Sequence, residues 1–488
     1  MKPHIFPSLV ALAGLAAGCT LAPKYSRPAA PVPPAWPSGP AYAAGMPTHA
    51  VPAPDLDWRE FFTDERLRHL VGLALTNNRD LRLALQNVER ARALYGIQRA
   101  GLFPVAEATG SASRQRVPAD LSSSGSRQTL SRYDAKLGIA SWELDFFGRI
   151  RSLKDRALEE FLATDQARRG AQILLVSSVA NAWLALAADR EALELAQTTL
   201  EAQQAAYDLI KRRYDLGLVP ELDLFRAQSP LETARRDVAI YTQQVAKDRN
   251  ALDLLAGLPV PPDLLPPELS AVSAPREISP GVPSEILLRR PDIAQAEHLL
   301  KAANADIGAA RAAFFPRISL TAAIGTASGE LDGLFKSGSG TWSYAPQIVL
   351  PIFDARTWSA HKAAKVQREL AVTQYEKAIQ SAFREVADAL AVRGTVDQQL
   401  AAQQALVQAS EATYELAKSR YEKGIDSYLS VLDAQRSLFA ARQGLVLLRF
   451  EKLASQVNLY AVLGGGWQDP NPSTENTVAA TAPPPTRP

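Results

Sequence analysis

The chain has 488 residues, 53 basic and 51 acidic side chains, a net charge of +2 and a mean hydropathy of −0.10. That balance leaves no basic footprint for a nucleic acid. Its five histidines, at 4, 49, 69, 298 and 361, share no ligand spacing, which argues against a zinc or histidine-base site. With no P-loop, nucleophile elbow or dinucleotide fingerprint either, the chain reads as a non-enzyme with no cofactor or metal.

At the N-terminus Lys2 precedes an apolar run from Ile5 to Ala17, broken by Pro7 and Gly14, and Ala16-Ala17-Gly18 leads into Cys19. The run is too short for a membrane-spanning helix, which needs about 20 apolar residues, and reads as a secretory signal over 1–18. Cys19 is the single cysteine. Small residues ending in Gly-Cys resemble the bacterial lipobox, with Ala16 where a larger aliphatic residue is usual. The resemblance implies a lipidated Cys19 and, with Thr20 following it, sorting to the outer membrane. Residues 19–56 are rich in proline and lack periodicity, as a tether does. No other long apolar run is apparent, so no helical membrane span is expected.

The first repeat, 57–257, opens with an amphipathic helix over Asp80–Arg99 that ends near Leu102-Phe-Pro104. Proline breaks the helix and forces extended backbone just before it. A weakly apolar strand over 103–116 follows. After a polar loop from Pro118 to Ser131, a second strand places Trp142, Leu144 and Phe146 opposite Glu143 and Asp145. The second repeat, 284–467, follows a proline-rich crossing over 258–283 and has the same parts. Asp292–Ala312 is its helix, Phe314-Phe-Pro316 its breaker, and Ile318, Leu320, Ala322 and Ile324 alternate along its first strand. Trp342, Tyr344, Ile348, Leu350 and Ile352 alternate along the second, the period of a sheet with one apolar face. Residues 468–488 read as a disordered tail.

Each strand pair leads into long helices, Ser152–Tyr214 and Trp358–Tyr421, with almost no Gly or Pro and strong helix composition. Each stops at a glycine, Gly217 or Gly424, suited to a left-handed cap. A second helix then restarts at Pro220 or Ser427, giving two long antiparallel hairpins. Tyr207, Tyr214, Gly217 and Leu222 recur 207 residues later as Tyr414, Tyr421, Gly424 and Leu429. Upstream, Leu193, Leu200, Tyr207 and Tyr214 map onto Leu400, Val407, Tyr414 and Tyr421, both spaced by seven like a helix seam. One half is written twice.

Such hairpin strands suit a soluble sandwich or a membrane barrel, and the heptads alone suit a soluble coiled-coil stalk. Aromatic residues near the strand ends (Trp142, Phe146, Phe147, Trp342, Tyr344 and Phe353) favour the membrane. Four strands cannot close a barrel, and an open edge cannot sit in hydrocarbon, so several chains must share one. Two chains give 2 × 4 = 8 strands and three give 3 × 4 = 12.

Asn77-Asn-Arg-Asp80-Leu, Trp142-Glu-Leu-Asp-Phe-Phe-Gly-Arg149, Leu288-Arg-Arg-Pro-Asp292-Ile, Leu350-Pro-Ile-Phe353, Arg420-Tyr-Glu-Lys-Gly424, Leu432-Asp-Ala-Gln-Arg436 and Leu463-Gly-Gly-Gly-Trp467 occur in that order. Together they resemble the outer-membrane efflux factors of the TolC type, in their lipoprotein, NodT-like branch. The resemblance implies a mainly α fold with a membrane β-barrel portion: a homotrimer with a 12-stranded barrel and a long α-helical barrel in the periplasm. It implies a channel of a tripartite efflux pump in the outer membrane of a Gram-negative bacterium. Its partners would be outer-membrane lipid, a periplasmic adaptor and an inner-membrane transporter of the resistance-nodulation-division kind. The tips Gly217-Leu218-Val219 and Gly424-Ile425-Asp426 are similar to adaptor-contacting segments, and Leu429, Asp433 and Arg436 match the family's periplasmic gate. Asp433 and Arg436 stand three apart, on one helical face where they could pair. The competing readings are a lipid-anchored periplasmic adaptor and a coiled-coil scaffold without a pore.

Overall fold

The computed structural model describes residues 20–42, 51–281 and 287–467. The signal over 1–18, the lipid site at Cys19 and the 468–488 tail lie outside the described residues. Two short helices, α1 (Trp58–Phe61) and α2 (Glu65–Asn77), come first. Asp57 and Asp64 cap them by accepting backbone N–H groups of their first turns. Then one order of elements occurs twice. α3 (Arg79–Ala100), β1 (Ala106–Val117), β2 (Gln128–Leu144), α4 (Arg149–Asp215) and α5 (Glu221–Ala256) form the first series. α6 (Pro291–Ala312), β3 (Arg317–Ser328), β4 (Gly340–Val349), α7 (Ala355–Glu422) and α8 (Tyr428–Val462) form the second.

Several bounds differ from the sequence reading. Phe146 lies beyond β2, because a tight turn (Phe146 N–H to Leu144 O, 2.9 Å) and Gly148 at φ 72° end the ladder. Leu350 and Ile352 lie beyond β4, which stops just before Pro351, a residue with no N–H for a ladder. Ser427 holds the N-cap position of α8, but its side chain makes no cap bond. One stretch of α4 is, by length and composition, apolar enough to cross a membrane, contrary to expectation. Half of that window is buried, and Val176, Val179, Ala180, Trp183, Leu184, Leu186 and Ala187 of this helix belong to a hydrophobic core.

The chain divides into two compact units, and α3, α4, α6 and α7 each contribute to both. One unit contains the described residues 20–29, 87–165 and 295–376. Its sheet runs in the order β1-β2-β3-β4, every neighbouring pair antiparallel, which leaves an edge of β1 and an edge of β4 unpaired among the described residues. Ala108, Leu137, Ile324 and Trp342 lie in one cross-strand row, and Ala106, Ile139, Ala322 and Tyr344 in the next. Residues in register share a face, so the apolar face crosses all four strands. Between Ile139 and Trp142 the register of β2 slips, with Ser141 at φ 48° donating its N–H to Thr321 Oγ1 (3.1 Å). This extra residue puts Trp142, and not Ser141, opposite Leu320 on the apolar face.

In the same unit the segment after Thr20 runs along α6 in the opposite direction. Leu21 O accepts from Arg311 (3.1 Å), Pro23 O from Asn304 (2.7 Å), and Tyr25 and Arg27 donate to the buried Glu297 (3.1 and 2.9 Å). A Cβ at Gly308 would lie 2.8 Å from the Ala22 nitrogen, so only glycine admits the strand this close.

The other unit holds the main hydrophobic core, from α1, α2, α4, α5 and α8 with the crossing segment, joined by Leu81 of α3 and by Val386 and Leu390 of α7. Tyr460 stacks on Phe61 at 3.9 Å and donates its hydroxyl to Leu56 O at 2.6 Å. Trp183 donates to Leu264 O at 2.9 Å. Arg290 is buried and bridges Asp292 (2.8 Å), Glu385 (2.7 Å) and Val462 O (2.6 Å), tying the start of α6 to α7 and the end of α8. Burial tends to lower its pKa, but hydrogen bonds to the two carboxylates prevail and raise it.

Gly257 ends α5 at φ 75°, and a Cβ there would sit 2.4 Å from Asn77 O. Gly257→Ala therefore combines left-handed strain with a backbone clash and should destabilise this unit by about 1–3 kcal/mol. Gly72→Ala, whose new Cβ meets only Trp58 at 3.9 Å, should leave the thermal unfolding midpoint of the solubilised protein nearly unchanged. Equal midpoints for the two variants would contradict the packing described.

Candidate functional site

The two hairpin tips are built alike. At the first, Gly217 (φ 74°) donates its N–H to Tyr214 O and Leu218 donates to Arg213 O, both at 2.8 Å. At the second, Gly424 (φ 73°) donates to Tyr421 O and Ile425 to Arg420 O, both at 2.9 Å. This paired closure satisfies the last helical carbonyls and needs a left-handed residue. Nothing lies within 4 Å of a Cβ at either glycine, so the backbone angle alone selects it. Behind the tips a small core gathers Ile210, Ala227, Ala417, Tyr428, Val431 and Leu432 from both hairpins. Burial, helped by Tyr421 and Tyr414, pushes the Tyr428 phenol up to about 12.

The tips differ in charge. Arg420 clamps Asp426 through two bonds of 2.6 and 3.0 Å. The 207-residue offset puts Val219 where a matching carboxylate would be, and Val219 packs against the small core instead. Arg213, the counterpart of Arg420, thus reaches across to the other hairpin and donates to Tyr421 Oη at 2.9 Å. Sequence reasoning missed this link, although Val219 opposite Asp426 was the signal for it. Leu218 and Ile425 project into solvent, and so do Leu216, Leu222 and Phe225, which were also missed. The first tip therefore carries the larger apolar surface.

Leu429, Asp433 and Arg436 all lie on exposed positions of α8. Among the described residues, Asp433 and Arg436 form no ion pair with each other or with another side chain. The residue matching Asp433 in the first hairpin, Arg226, is paired to Asp223 at 3.4 Å. The second hairpin thus presents an acid and a base with unused charge, one turn apart.

The second candidate region is the sheet. Trp342, Tyr344, Ile324, Ile348 and Leu137 are all more than half exposed on its apolar face. On its other face Asp134 is held between Arg132 (2.9 Å) and Lys136 (3.0 Å), a charged ladder at alternate residues of β2. Glu143 on that face takes two 2.8 Å bonds from Arg149. One face is fit for hydrocarbon and the other for water. Among the described residues no three His, Cys, Asp or Glu side chains converge as metal ligands.

The sequence profile of the outer membrane efflux protein family matches residues 70–258 and 282–465. The chain belongs to the outer membrane efflux protein family. This outer membrane efflux protein is 48% identical to the probable efflux pump outer membrane protein TtgC of Pseudomonas putida, over 95% of this chain and 96% of that one. It is 42% identical to outer membrane protein OprJ of Pseudomonas aeruginosa, over 96% and 97%. Its fold is similar to the open-state crystal structure of the MtrE outer membrane channel of Neisseria gonorrhoeae, with a TM-score of 0.83 and 37% identity over 92% of this chain and 99% of that one. These relatives are outer-membrane channels and pump components, and this protein is an outer-membrane efflux channel with a mainly helical fold and a β portion.

Arg213 and Tyr421 join hairpins that are otherwise held at the tips by apolar contacts. In a double-mutant cycle of Arg213→Leu with Tyr421→Phe, a coupling of about 0.5–1 kcal/mol is expected from denaturant unfolding. Additive effects would show that the two side chains do not interact.

Proposed function

We propose that this chain is the outer-membrane component of a tripartite efflux pump: a homotrimeric conduit, without catalytic chemistry, from a periplasmic adaptor and an inner-membrane transporter to the exterior. The observation that carries the reading is the four-stranded sheet, apolar across one face and unpaired at both edges. In hydrocarbon each unsatisfied backbone group costs several kcal/mol, so an edge of β1 must be met by β4 of another copy. Three copies give 3 × 4 = 12 strands, with the Arg132–Asp134–Lys136 face lining the water path.

In this reading the signal over 1–18 is removed and Cys19 carries the lipid, followed by the tether 19–56. The repeats 57–257 and 284–467, joined by 258–283, each supply two strands and one hairpin, and 468–488 trails as a tail. The transporter is of the resistance-nodulation-division kind. The adaptor meets Gly217, Leu218, Val219, Gly424, Ile425 and Asp426. Leu429 supplies an aliphatic ring at the periplasmic gate, and Asp433 of one copy pairs with Arg436 of the next to hold it closed. Relatives are named for toluene and antibiotic efflux, so aromatic solvents and amphipathic antibiotics are the first cargo to test.

In planar lipid bilayers, Asp433→Ala and Arg436→Ala should each raise the closed-state conductance several-fold, whereas Arg226→Ala should not. Conductance unchanged in both α8 variants would remove these residues from the gate. A monomer in lipid that passes no ions would end the conduit reading.

A further inference from the structure

A cavity of about 500 Å³ opens between α4, α5 and α8 in the unit that holds the main core. Its walls are mostly apolar, with Ala188 and Ala192 on one side and Leu447 and Phe450 on the other. Two of its polar groups, Tyr241 and Gln443, already satisfy each other at 3.1 Å. Asp189 is the one charged side chain in the lining.

Behind it, the Asp189 carboxyl adjoins that of Asp248 of α5. Asp248 receives Gln244 Nε2 on Oδ1 at 2.9 Å, while its buried Oδ2 is reached by no N–H or O–H donor of the described residues. With Asp189 protonated, its O–H would be the missing donor. The surrounding charges are engaged elsewhere: Arg190 donates to Pro266 O at 2.8 Å and faces Arg249, Glu191 pairs with Arg449 at 3.0 Å, and Asp237 with Arg236 at 2.8 Å. Burial, and then the bond to and charge of Asp248, push the Asp189 carboxyl up to about 7. Asp189 and Asp237 in turn add to the burial that raises the Tyr241 phenol.

Apolar walls of this size with one acid at the end suit a particular ligand chemistry. We propose that this cavity binds an amphipathic organic cation, whose charge takes the place of the proton held between Asp189 and Asp248. The apolar body of the ligand covers Ala188, Leu447 and Phe450, and the cationic centre lies against Asp189, with Phe450 offering a ring face. The sign of the pH dependence follows. The folded carboxyl keeps its proton below about pH 7, so binding must expel it there and is weakened. Above pH 7 the carboxylate is already free and binding is at full strength. The site is a property of the fold and does not depend on conduction, so a protein that binds the cation but passes no ions would sink the channel reading alone.

The test is equilibrium dialysis of the purified full-length protein in detergent with tetraphenylphosphonium, a cation that does not itself titrate. Saturable binding of one ion per chain is expected at pH 8, weakening about tenfold at pH 6, the loss of ionised carboxylate for one group titrating near 7. Asp189→Asn keeps a hydrogen bond to Asp248 and should abolish both the binding and its pH dependence. Ala440→Trp, a substitution at an exposed residue of the lining, should block the cavity with helical content unchanged. The proposal is overturned if wild type does not bind at pH 8, if its affinity is equal at pH 6 and 8, or if Asp189→Asn binds like wild type. Equal binding of neutral triphenylphosphine oxide would also overturn it.

Discussion

A sheet with an apolar face and two open edges sets the terms for everything else in this chain. In water the exposed Trp342, Tyr344 and Ile348 would drive aggregation, and in hydrocarbon the unpaired edges of β1 and β4 would be intolerable. Edge pairing between copies inside a membrane, as proposed above, satisfies both demands. The β2 bulge belongs to the same requirement. Without the extra residue beside Ser141 the pleat would turn Trp142 and Leu144 to the watery face and Glu143 to the lipid.

The helical part obeys a packing constraint of its own. Buried positions of α4 below the core fall at Ala196, Gln203 and Ile210, three residues after Leu193, Leu200 and Tyr207, so the seam has both stripes of a heptad. The second stripe is small or polar for much of its length. Gln403, the counterpart of Ala196, donates to Ala441 O at 2.8 Å, and a Cβ on Gly444 would meet its amide at 2.5 Å. Small residues let backbones approach closely, which suits the shared wall proposed above.

Much of this was legible. The 207-residue offset revealed the duplication, the tips and both capping glycines, because left-handed caps leave a residue-specific mark. Period-two alternation located β3 and β4. The deeper helix stripe was invisible, since Ala196 and Gln203 carry no hydrophobic signal and are buried only by what approaches them. The apolar stretch of α4 was overlooked because its alanines and interspersed polar residues dilute it by eye. Phe146 and Leu350 were placed in strands on pattern alone, when a glycine and a proline nearby had already ended the ladders. The Asp189–Asp248 pair joins residues 59 positions apart on separate helices, and no motif marks it.

In the proposed channel, duplication lets one chain supply both a wall and a gate. Both copies keep the same tip closure, so both hairpins end in the same place on the backbone. Their side chains have diverged in a consistent direction. In the first copy the charge near the tip is settled within the chain: Arg226 is paired with Asp223, and Arg213 is tied to Tyr421. The second copy satisfies its own tip through Arg420 and Asp426 but, among the described residues, gives Asp433 and Arg436 no ion pair. In the proposed channel, a symmetric pair of hairpins could not divide wall and gate, because any residue freed to gate would also loosen the wall. Once the copies differ, Arg213 anchors one hairpin to the other, and in the proposed gate the acid and base of α8 are left for a neighbouring copy.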